Sequence, residues 1–322
     1  MLKLFSRNLF INVISLTVLA IGLQIAYIIN PVANTVASPP IFDGLDIIVN
    51  SNVLIQLIVG VVLVVAQALL ISRYVTIHRL SRSLTLIPGA IFILYVHILK
   101  DPENLNILIL ANFFFVLSIG SLFSIYKKHQ PIAALFNAGF FLGLASVFYF
   151  PYLIYLIALI IGLYNLRNFN LKEFLQILFG FLAVYFLCSV YAYYINLFDT
   201  WSSYVLGSFS IPTFDFSDIQ IWIKPIIFTA SVILITFGNN NLRKKKKYDA
   251  IRKIEFTYLL FLLSLLSIFM TEDIMISHLI IASVPMAILG GMLMERKEFY
   301  YFKEFIFLLL VGYLLAISYN YL

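Results

Sequence analysis

The sequence predicts an all-α fold: a polytopic transmembrane helical bundle of about 11 spans that forms a single domain over residues 1–322. Three observations predict it. Of the 322 residues, 62% are hydrophobic and 11% are charged, whereas soluble domains are about half apolar and about a quarter charged. The apolar residues form continuous runs of spanning length, and the charged residues fall between these runs. Because lipid offers the backbone no hydrogen-bond partner, such runs cross a membrane as helices.

The first apolar run, residues 10–29, follows two cations, Lys3 and Arg7. It is longer than the apolar core of a signal peptide, so we expect it to remain as the first span, with the N-terminus in the cytoplasm. Further runs of spanning length occupy residues 53–72, 84–99, 105–125, 174–195, 219–238, 257–271, 274–294 and 305–322.

Residues 133–165 contain no side chain that is charged at neutral pH. A single helix over this stretch would be about 50 Å long, whereas the hydrocarbon layer of a membrane is about 30 Å thick. Pro151 cannot donate a helical hydrogen bond, and it disfavours helix at Phe150. The sequence therefore predicts two spans joined by a turn near residues 149–152 at the outer membrane surface.

The charges predict the orientation of the spans. If residues 133–165 cross twice, all of the 21 Lys and Arg residues except Lys100 and Lys224 lie on the cytoplasmic side, as the positive-inside rule requires. The C-terminus is then periplasmic. Nine of the 15 acidic residues lie on the outer side, namely Asp43, Asp46, Asp101, Glu103, Asp199, Asp215, Asp218, Glu272 and Asp273.

Three connecting segments are long enough to have a role of their own. The outer loops 30–52 and 196–218 lack Lys and Arg and mix apolar residues with acids, so each is expected to lay a short amphipathic segment on the membrane surface. The cytoplasmic loop 239–256 is basic, and cations beside a span attract anionic lipid headgroups. We therefore predict lipid contact, and no nucleic-acid binding, for Arg243, Lys244, Lys245, Lys246 and Lys247.

Gly139 and Gly143 form a GxxxG pattern in the first half of the 133–165 hairpin. Small residues four apart allow two membrane helices to approach closely. We therefore predict that these two glycines are helix-packing residues. The single Cys188 lies within a predicted span and is expected to be an inert apolar side chain.

His97 and His278 lie in the outer parts of two spans, close to the acidic turns that contain Asp101, Glu103 and Asp273. Imidazole titrates near neutral pH and carboxylates suit hard cations, so this set would serve acid–base chemistry or bind a divalent cation. The alternative is that the short turns are polar because they are exposed to water, and that each histidine forms a hydrogen bond to a neighbouring helix.

Lys224 lies within the outer part of a span, against the positive-inside rule. Its ammonium either extends to the interface or meets an anion such as a lipid phosphate. Polar groups such as Gln67 and Asn112 lie deeper in the predicted spans, but none of these is charged. An ion-coupled transporter would lack its usual relay of ionisable residues.

Three stretches carry a resemblance to known proteins: LTLIPGAIFILYVHIL at 84–99, DPENLNILILANFFFVLSIGSLFSIYKK at 101–128 and FNAGFFLGLASVFYFPYLIYLIALIIGLYNLRNF at 136–169. They resemble an uncharacterised family of multi-pass inner-membrane proteins of Bacteroidota, which implies location in a bacterial cytoplasmic (inner) membrane. The order of parts is also similar to the membrane core of C-type glycosyltransferases. Those enzymes use polyprenyl-phosphate sugar donors at the outer face.

The second resemblance implies roles for particular residues. Asp43 and Asp46 stand in the first outer loop, Asp101 and Glu103 in the second outer turn, and FFLGLAS at 140–146 in the third element. In such enzymes a first-loop carboxylate is the general base or ligates a divalent cation, and Lys224 would meet the donor phosphate. The sequence departs from the family in three respects: FDGLD replaces adjacent Asp-Glu, no basic residue follows GLA, and the long outer loops or domain that bind acceptors are missing.

These observations lead to two functional hypotheses. In the first, the protein acts on a lipid-linked or cell-envelope substrate at the outer leaflet, as a glycosyltransferase with a lipid-phosphate sugar donor. In the second, it is a non-catalytic envelope scaffold, or a lipid or solute transporter. The distance between the acidic side chains on an outward cavity would separate the two hypotheses.

Overall fold

The computed structural model describes residues 5, 9–29, 40, 53–81, 84–99, 107–126, 128–167, 170–207, 229, 231–233, 248–270, 276–295 and 300–318. Over these residues the chain is helical and contains no β-strand. The α-helices are α1 (Leu9–Ile29), α2 (Val53–Ile77), α3 (Ile87–Leu99), α4 (Ile107–Phe123), α5 (Ile132–Phe148), α6 (Tyr155–Leu166), α7 (Leu171–Tyr194), α8 (Phe198–Gly207), α9 (Tyr248–Leu266), α10 (Ser283–Met294) and α11 (Tyr300–Ser318). Short 3₁₀ helices cover Phe150–Ile154, Ser267–Met270 and Ile276–Ala282.

The chain reverses between α5 and α6, as the sequence predicts for residues 133–165. Tyr149 has extended backbone dihedrals and ends α5, and Pro151 lies in the first turn of the 3₁₀ helix that leads into α6. Proline is well placed there, because the first N–H groups of a helix have no partner within it.

The long helices alternate in direction along the chain. Pairs of contacts show that α1 and α3, α2 and α4, α4 and α6, and α5 and α7 are each parallel, whereas α6 and α9 are antiparallel. For the parallel pairs, the contacts are Leu16–Gly89 and Gln24–His97 between α1 and α3, Gln67–Ile109 and Tyr74–Gly120 between α2 and α4, Phe115–Tyr155 and Leu122–Gly162 between α4 and α6, and Gly139–Ile177 and Gly143–Val184 between α5 and α7. For the antiparallel pair, Gly162 of α6 contacts Phe256 of α9, and the 3₁₀ helix before α6, Phe150–Ile154, contacts the one after α9, Ser267–Met270. The bundle therefore has two ends. We call the end at which α1, α3, α5, α7 and α9 finish the Tyr149 end, and the opposite one the Lys253 end.

Two short helices lie at the centre of the bundle. Every residue of α3 is buried, as are residues 283–292 of α10. Both helices are apolar on all sides, a pattern typical of helices surrounded by others. α3 packs against α1, α2 and α10, and a Cβ on Gly291 of α10 would lie 2.6 Å from the ring of Pro88 in α3.

The glycines of α5 lie in its contact with α7. A Cβ on Gly139 would lie 2.0 Å from the carbonyl oxygen of Ile177, and one on Gly180 would lie 2.2 Å from the carbonyl oxygen of Phe136. Gly143 lies one turn further along the same contact, beside Val184. The two backbones therefore approach as closely as the absence of these side chains allows.

The outer helices expose large apolar side chains. Val62 of α2, Phe186 of α7 and Phe305 of α11 are 60%, 68% and 61% exposed. On length and composition, two of the described helices, Leu54–Ile77 and Leu171–Tyr194, can cross a membrane, and six shorter apolar helical stretches have 10–17 residues. An apolar surface this extensive is rare on soluble proteins.

Two helix boundaries differ from the sequence prediction. The loop 239–256 was expected to precede a span at 257–271, but α9 already begins at Tyr248. Asp249 in its first turn suits the positive end of the helix dipole, and Ile254 and Phe256 are buried. The predicted span 274–294 is divided, because α-helix begins only at Ser283, two residues before Pro285, and proline is tolerated in a first turn but not within a helix.

Candidate functional site

Most of the residues singled out by the sequence for chemistry lie outside the described residues. These are Asp43, Asp46, Asp101, Glu103 and Lys224, together with the basic run 243–247. His97 and His278 are described. Both lie at the Tyr149 end, and both are buried, with 4% and 1% of their surface exposed.

His278 is hydrogen-bonded through both ring nitrogens. Its Nδ1 lies 2.8 Å from the hydroxyl of Tyr149, and its Nε2 lies 3.0 Å from Ser267 Oγ. Because the Ser267 hydroxyl donates to the carbonyl of Ser264 at 2.7 Å, we assign the proton to Nε2, which donates to Ser267. Nδ1 then accepts from Tyr149. This chain joins the end of α5 to the segments that follow α9.

Asn112 forms a second buried link at the same end. Tyr152 donates from its hydroxyl to Asn112 Oδ1 at 3.0 Å, and Asn112 Nδ2 donates to Ser283 Oγ at 3.2 Å. All three residues are at most 1% exposed. The link connects α4, the 3₁₀ helix after α5 and the first residue of α10, and it leaves none of these three side chains without a partner.

Aromatic rings enclose these polar groups. Phe115 lies with its ring centroid 5.1 Å from that of Tyr152 and 4.3 Å from that of Tyr155, and Tyr149 packs on His278 at 5.7 Å. The 3₁₀ segments supply much of the set, because Tyr152, Ser267 and His278 all belong to them. We call Asn112, Tyr149, Tyr152, Ser267, His278 and Ser283 the Tyr149 cluster.

His97 belongs to a separate hydrogen-bond set. Its Nδ1 lies 2.7 Å from the carbonyl oxygen of Ile93, so Nδ1 carries a proton and donates. Because Nε2 then accepts, the side-chain amide of Gln24, 3.2 Å away, is assigned with its NH₂ group toward the ring, and this bond ties α3 to α1. The two histidines therefore have different partners. Over the described residues, no three His, Cys, Asp or Glu side chains are grouped closely enough to hold a metal ion.

A third polar group, which the sequence did not single out, lies at the Lys253 end. The Lys253 ammonium donates to Nδ1 of His78 at 2.8 Å, and Tyr126 donates from its hydroxyl to Asp249 Oδ1 at 2.9 Å. Lys253 also lies 5.7 Å from the ring centroid of Phe123 and 5.4 Å from that of Tyr126. The only sequence signal was the four-residue spacing of Asp249 and Lys253 on one helix face.

The pKa values of His78 and Lys253 are shifted within this group, and both residues lie outside the predicted spans. Burial, and secondarily the charge of Lys253, lowers the pKa of His78 to about 4. Burial lowers the pKa of Lys253 to about 8, although the charge of Asp249 opposes that shift. At neutral pH His78 is therefore neutral and Lys253 carries the proton that joins them.

The architecture defines an all-helical protein with an apolar exterior and buried polar groups that link its helices. Comparison with family models, curated proteins and solved structures gives no match.

Proposed function

We propose that the chain is a multi-pass protein of a bacterial inner membrane, with eleven spans, a cytoplasmic N-terminus and a periplasmic C-terminus. The observation that carries this proposal is the position of the cations: within the described ranges, every Lys and Arg lies at the Lys253 end. They are Arg73, Arg79, Lys128, Arg167, Lys172, Arg252, Lys253 and Lys303. By the positive-inside rule, the Lys253 end is then cytoplasmic.

The exposed aromatic side chains support the same placement. Tyr193 and Tyr194 at the Tyr149 end are 76% and 82% exposed, while Tyr164 and Tyr301 at the Lys253 end are 68% and 87% exposed. Tyrosine is enriched where a membrane meets water, so these side chains would mark the two interfaces. The apolar side chains exposed between them would face lipid.

The directions of α7 and α9 support one further crossing of the membrane by the chain between them. Both helices run toward the Tyr149 end, because α7 is parallel to α5 and α9 is antiparallel to α6. We propose that one further crossing joins them. The chain between them, residues 208–247, contains the predicted span 219–238, which completes the eleven.

Thiol labelling tests this topology. The single Cys188 is first replaced by serine, and a cysteine is then introduced at Ser203 of α8 or at His129, both of which are exposed. We expect a membrane-impermeant maleimide to label Ser203→Cys in intact spheroplasts and His129→Cys only after permeabilisation. Equal labelling of both variants in intact spheroplasts would contradict the proposed topology.

We further propose that the protein acts at the outer leaflet on a lipid-linked or cell-envelope substrate, as a glycosyltransferase with a lipid-phosphate sugar donor. Support comes from the neighbouring ends of α1 and α3, joined by the Gln24–His97 contact of 3.2 Å. The segments that carry Asp43 and Asp101 start from these two ends. A carboxylate there would act as general base or ligate a divalent cation, and Lys224 would meet the donor phosphate.

Alanine substitution tests this activity. We expect Asp43→Ala and Asp101→Ala each to lower the turnover of a lipid-linked sugar in inverted or native membranes by about 10²-fold or more, the effect typical of losing a general base. Asp199→Ala is the matched control, since Asp199 is an exposed acid at the same end. Wild-type turnover in all three variants would reject the activity and leave the topology intact.

The second candidate is a non-catalytic envelope scaffold or a lipid or solute transporter. It is favoured by the Tyr149 cluster, in which the ring nitrogens of His278 and the amide of Asn112 are bound to protein partners. Polar groups that satisfy one another stabilise helix packing and leave little for a substrate. Unchanged envelope glycans and normal growth in the Asp43→Ala strain would favour this candidate.

A further inference from the structure

The side chain of Lys253 lies in an unusual place for a cation. The residue is only 4% exposed, and its ammonium is surrounded by the rings of Phe123, Tyr126 and His78. None of the described carboxylates forms an ion pair with it. Its closest polar partner is the imidazole of His78, another base, 2.8 Å away.

A hydrogen bond between these two nitrogens requires a definite number of protons. With one proton, the ammonium donates and the neutral imidazole accepts at Nδ1. With a second proton, both groups are cations and neither has a lone pair to offer, so they repel at this distance. A second proton therefore breaks the hydrogen bond between Lys253 and His78.

Among the described residues, Asp249 and Tyr126 are titratable groups that act on the pair. Asp249 lies one turn before Lys253 on α9, and Tyr126 from the segment after α4 donates to its carboxylate. Phe123 presents its ring edge-on to His78, with the centroids 5.3 Å apart. Asp249 favours the charged form of Lys253, whereas burial beside Phe123 and Tyr126 disfavours a second proton on the pair.

The pair connects two parts of the chain that are far apart in sequence. His78 lies in the turn that ends α2, where Arg79 adopts a left-handed backbone with a φ of 55° and Leu80 N donates to the carbonyl of Val75 at 2.9 Å. This left-handed closure is typical of a helix C-terminus. The turn is thus well ordered, and losing the pair would free it from α9 as a unit.

We propose that His78 and Lys253 form a proton-binding site that is closed when it holds one proton and opens when it takes a second. In the closed state the shared proton joins α9 to the turn after α2. Protonation of His78 replaces this hydrogen bond with two cations, and the beginning of α9 separates from the turn. The site lies at the opposite end from the acidic segments, so it is independent of the proposed glycosyltransferase activity.

The pKa shifts give the direction of the response. The pKa of His78 is about 4 in the closed state, whereas an imidazole released to water has its usual value near 6.5. The open state therefore binds the second proton more readily. The contribution of His78 to the closed state is complete above about pH 6.5 and is lost progressively as the pH falls toward 4.

Distance measurement between two spin labels tests the site in full-length protein in lipid nanodiscs. With Cys188 replaced by serine, labels are placed at Ile77, at the end of α2, and at Glu255 of α9, both of which are exposed. We expect one short distance at about pH 7.5 and a longer component that grows as the pH is lowered to about 4.5. An unchanged distribution over this range would overturn the proposal.

Two variants and a control identify the groups responsible. His78→Gln keeps an oxygen that accepts from Lys253 but cannot take a proton, so it should abolish the longer component at low pH. Lys253→Gln removes the first cation but leaves His78 buried, so it should reduce that component. His129→Gln, an exposed histidine of the same end, should respond as wild type does. An acid response that persists in both His78→Gln and Lys253→Gln would assign the opening to other groups and reject the site.

Discussion

A Gly139→Leu variant is expected to lose about 3 kcal/mol or more of stability, since overpacking a close contact typically costs about 1–3 kcal/mol and exceeds that range when the neighbour cannot move. Here the neighbour is backbone: even a Cβ would lie 2.0 Å from the carbonyl oxygen of Ile177. The α5–α7 contact would have to separate along its length, because Gly180 is equally close to Phe136 on the same interface.

Thermal unfolding of the detergent-purified protein, followed by circular dichroism, measures this loss. Gly312→Leu on α11 is the matched control, because a Cβ there meets nothing within 4 Å. Leucine has a higher helix propensity than glycine, so the control should unfold at or above the wild-type temperature. A Gly139→Leu protein as stable as Gly312→Leu would show that α5 and α7 do not approach as described.

Replacing Asn112 by leucine is expected to produce the second large effect. The substitution keeps the branching and the number of heavy atoms of the side chain but leaves the hydroxyls of Tyr152 and Ser283 without their partner in a fully buried place. Each buried polar group left unpaired costs about 1–3 kcal/mol. Tyr152→Phe should cost less, because it orphans only the Asn112 oxygen.

The double variant Asn112→Leu/Tyr152→Phe separates the hydrogen bond from the packing. Its loss of stability should be smaller than the sum of the single losses, since the second substitution removes a group that the first had left unpaired. Coupling energies between polar side chains in membrane proteins average about 0.6 kcal/mol, so we expect a coupling of at least that size. Tyr185→Phe, which removes a partly buried bond to Ser146, serves as the comparison. Strictly additive losses would argue against the Tyr152–Asn112 hydrogen bond.

Local chemistry explains which features of the fold were predictable. Proline interrupts an α-helix at any position beyond its first turn, so the turn between α5 and α6 at Pro151 follows from the sequence. The apolar runs predict helices because lipid offers the backbone no hydrogen-bond partner. The boundaries of α1, α2 and α4 lie within a few residues of the predicted ones. α9 begins nine residues early because its first turns are amphipathic rather than uniformly apolar, a pattern that hydrophobicity alone does not register.

The candidate sites were less predictable, because their partners are distant in sequence. His278 was predicted to lie near acidic residues, but its described partners are Tyr149 and Ser267. Lys253 was interpreted only as one cation of a basic cytoplasmic loop. Its contact with His78 joins residues 175 positions apart, and no local pattern connects them.

The sequence by itself therefore determined the helical class, the turn at Pro151, the small residues Gly139 and Gly143, and the segregation of cations into alternate connections. Each of these follows from properties of single residues and their neighbours along the chain. Only the tertiary structure decided that α7 is the helix those glycines meet, that His278 and Asn112 are bound within the protein, and that Lys253 shares a proton with His78. Those outcomes depend on which helices pack together. Because the apolar helices have similar sequences, no single helix shows by its own residues which other helix it packs against.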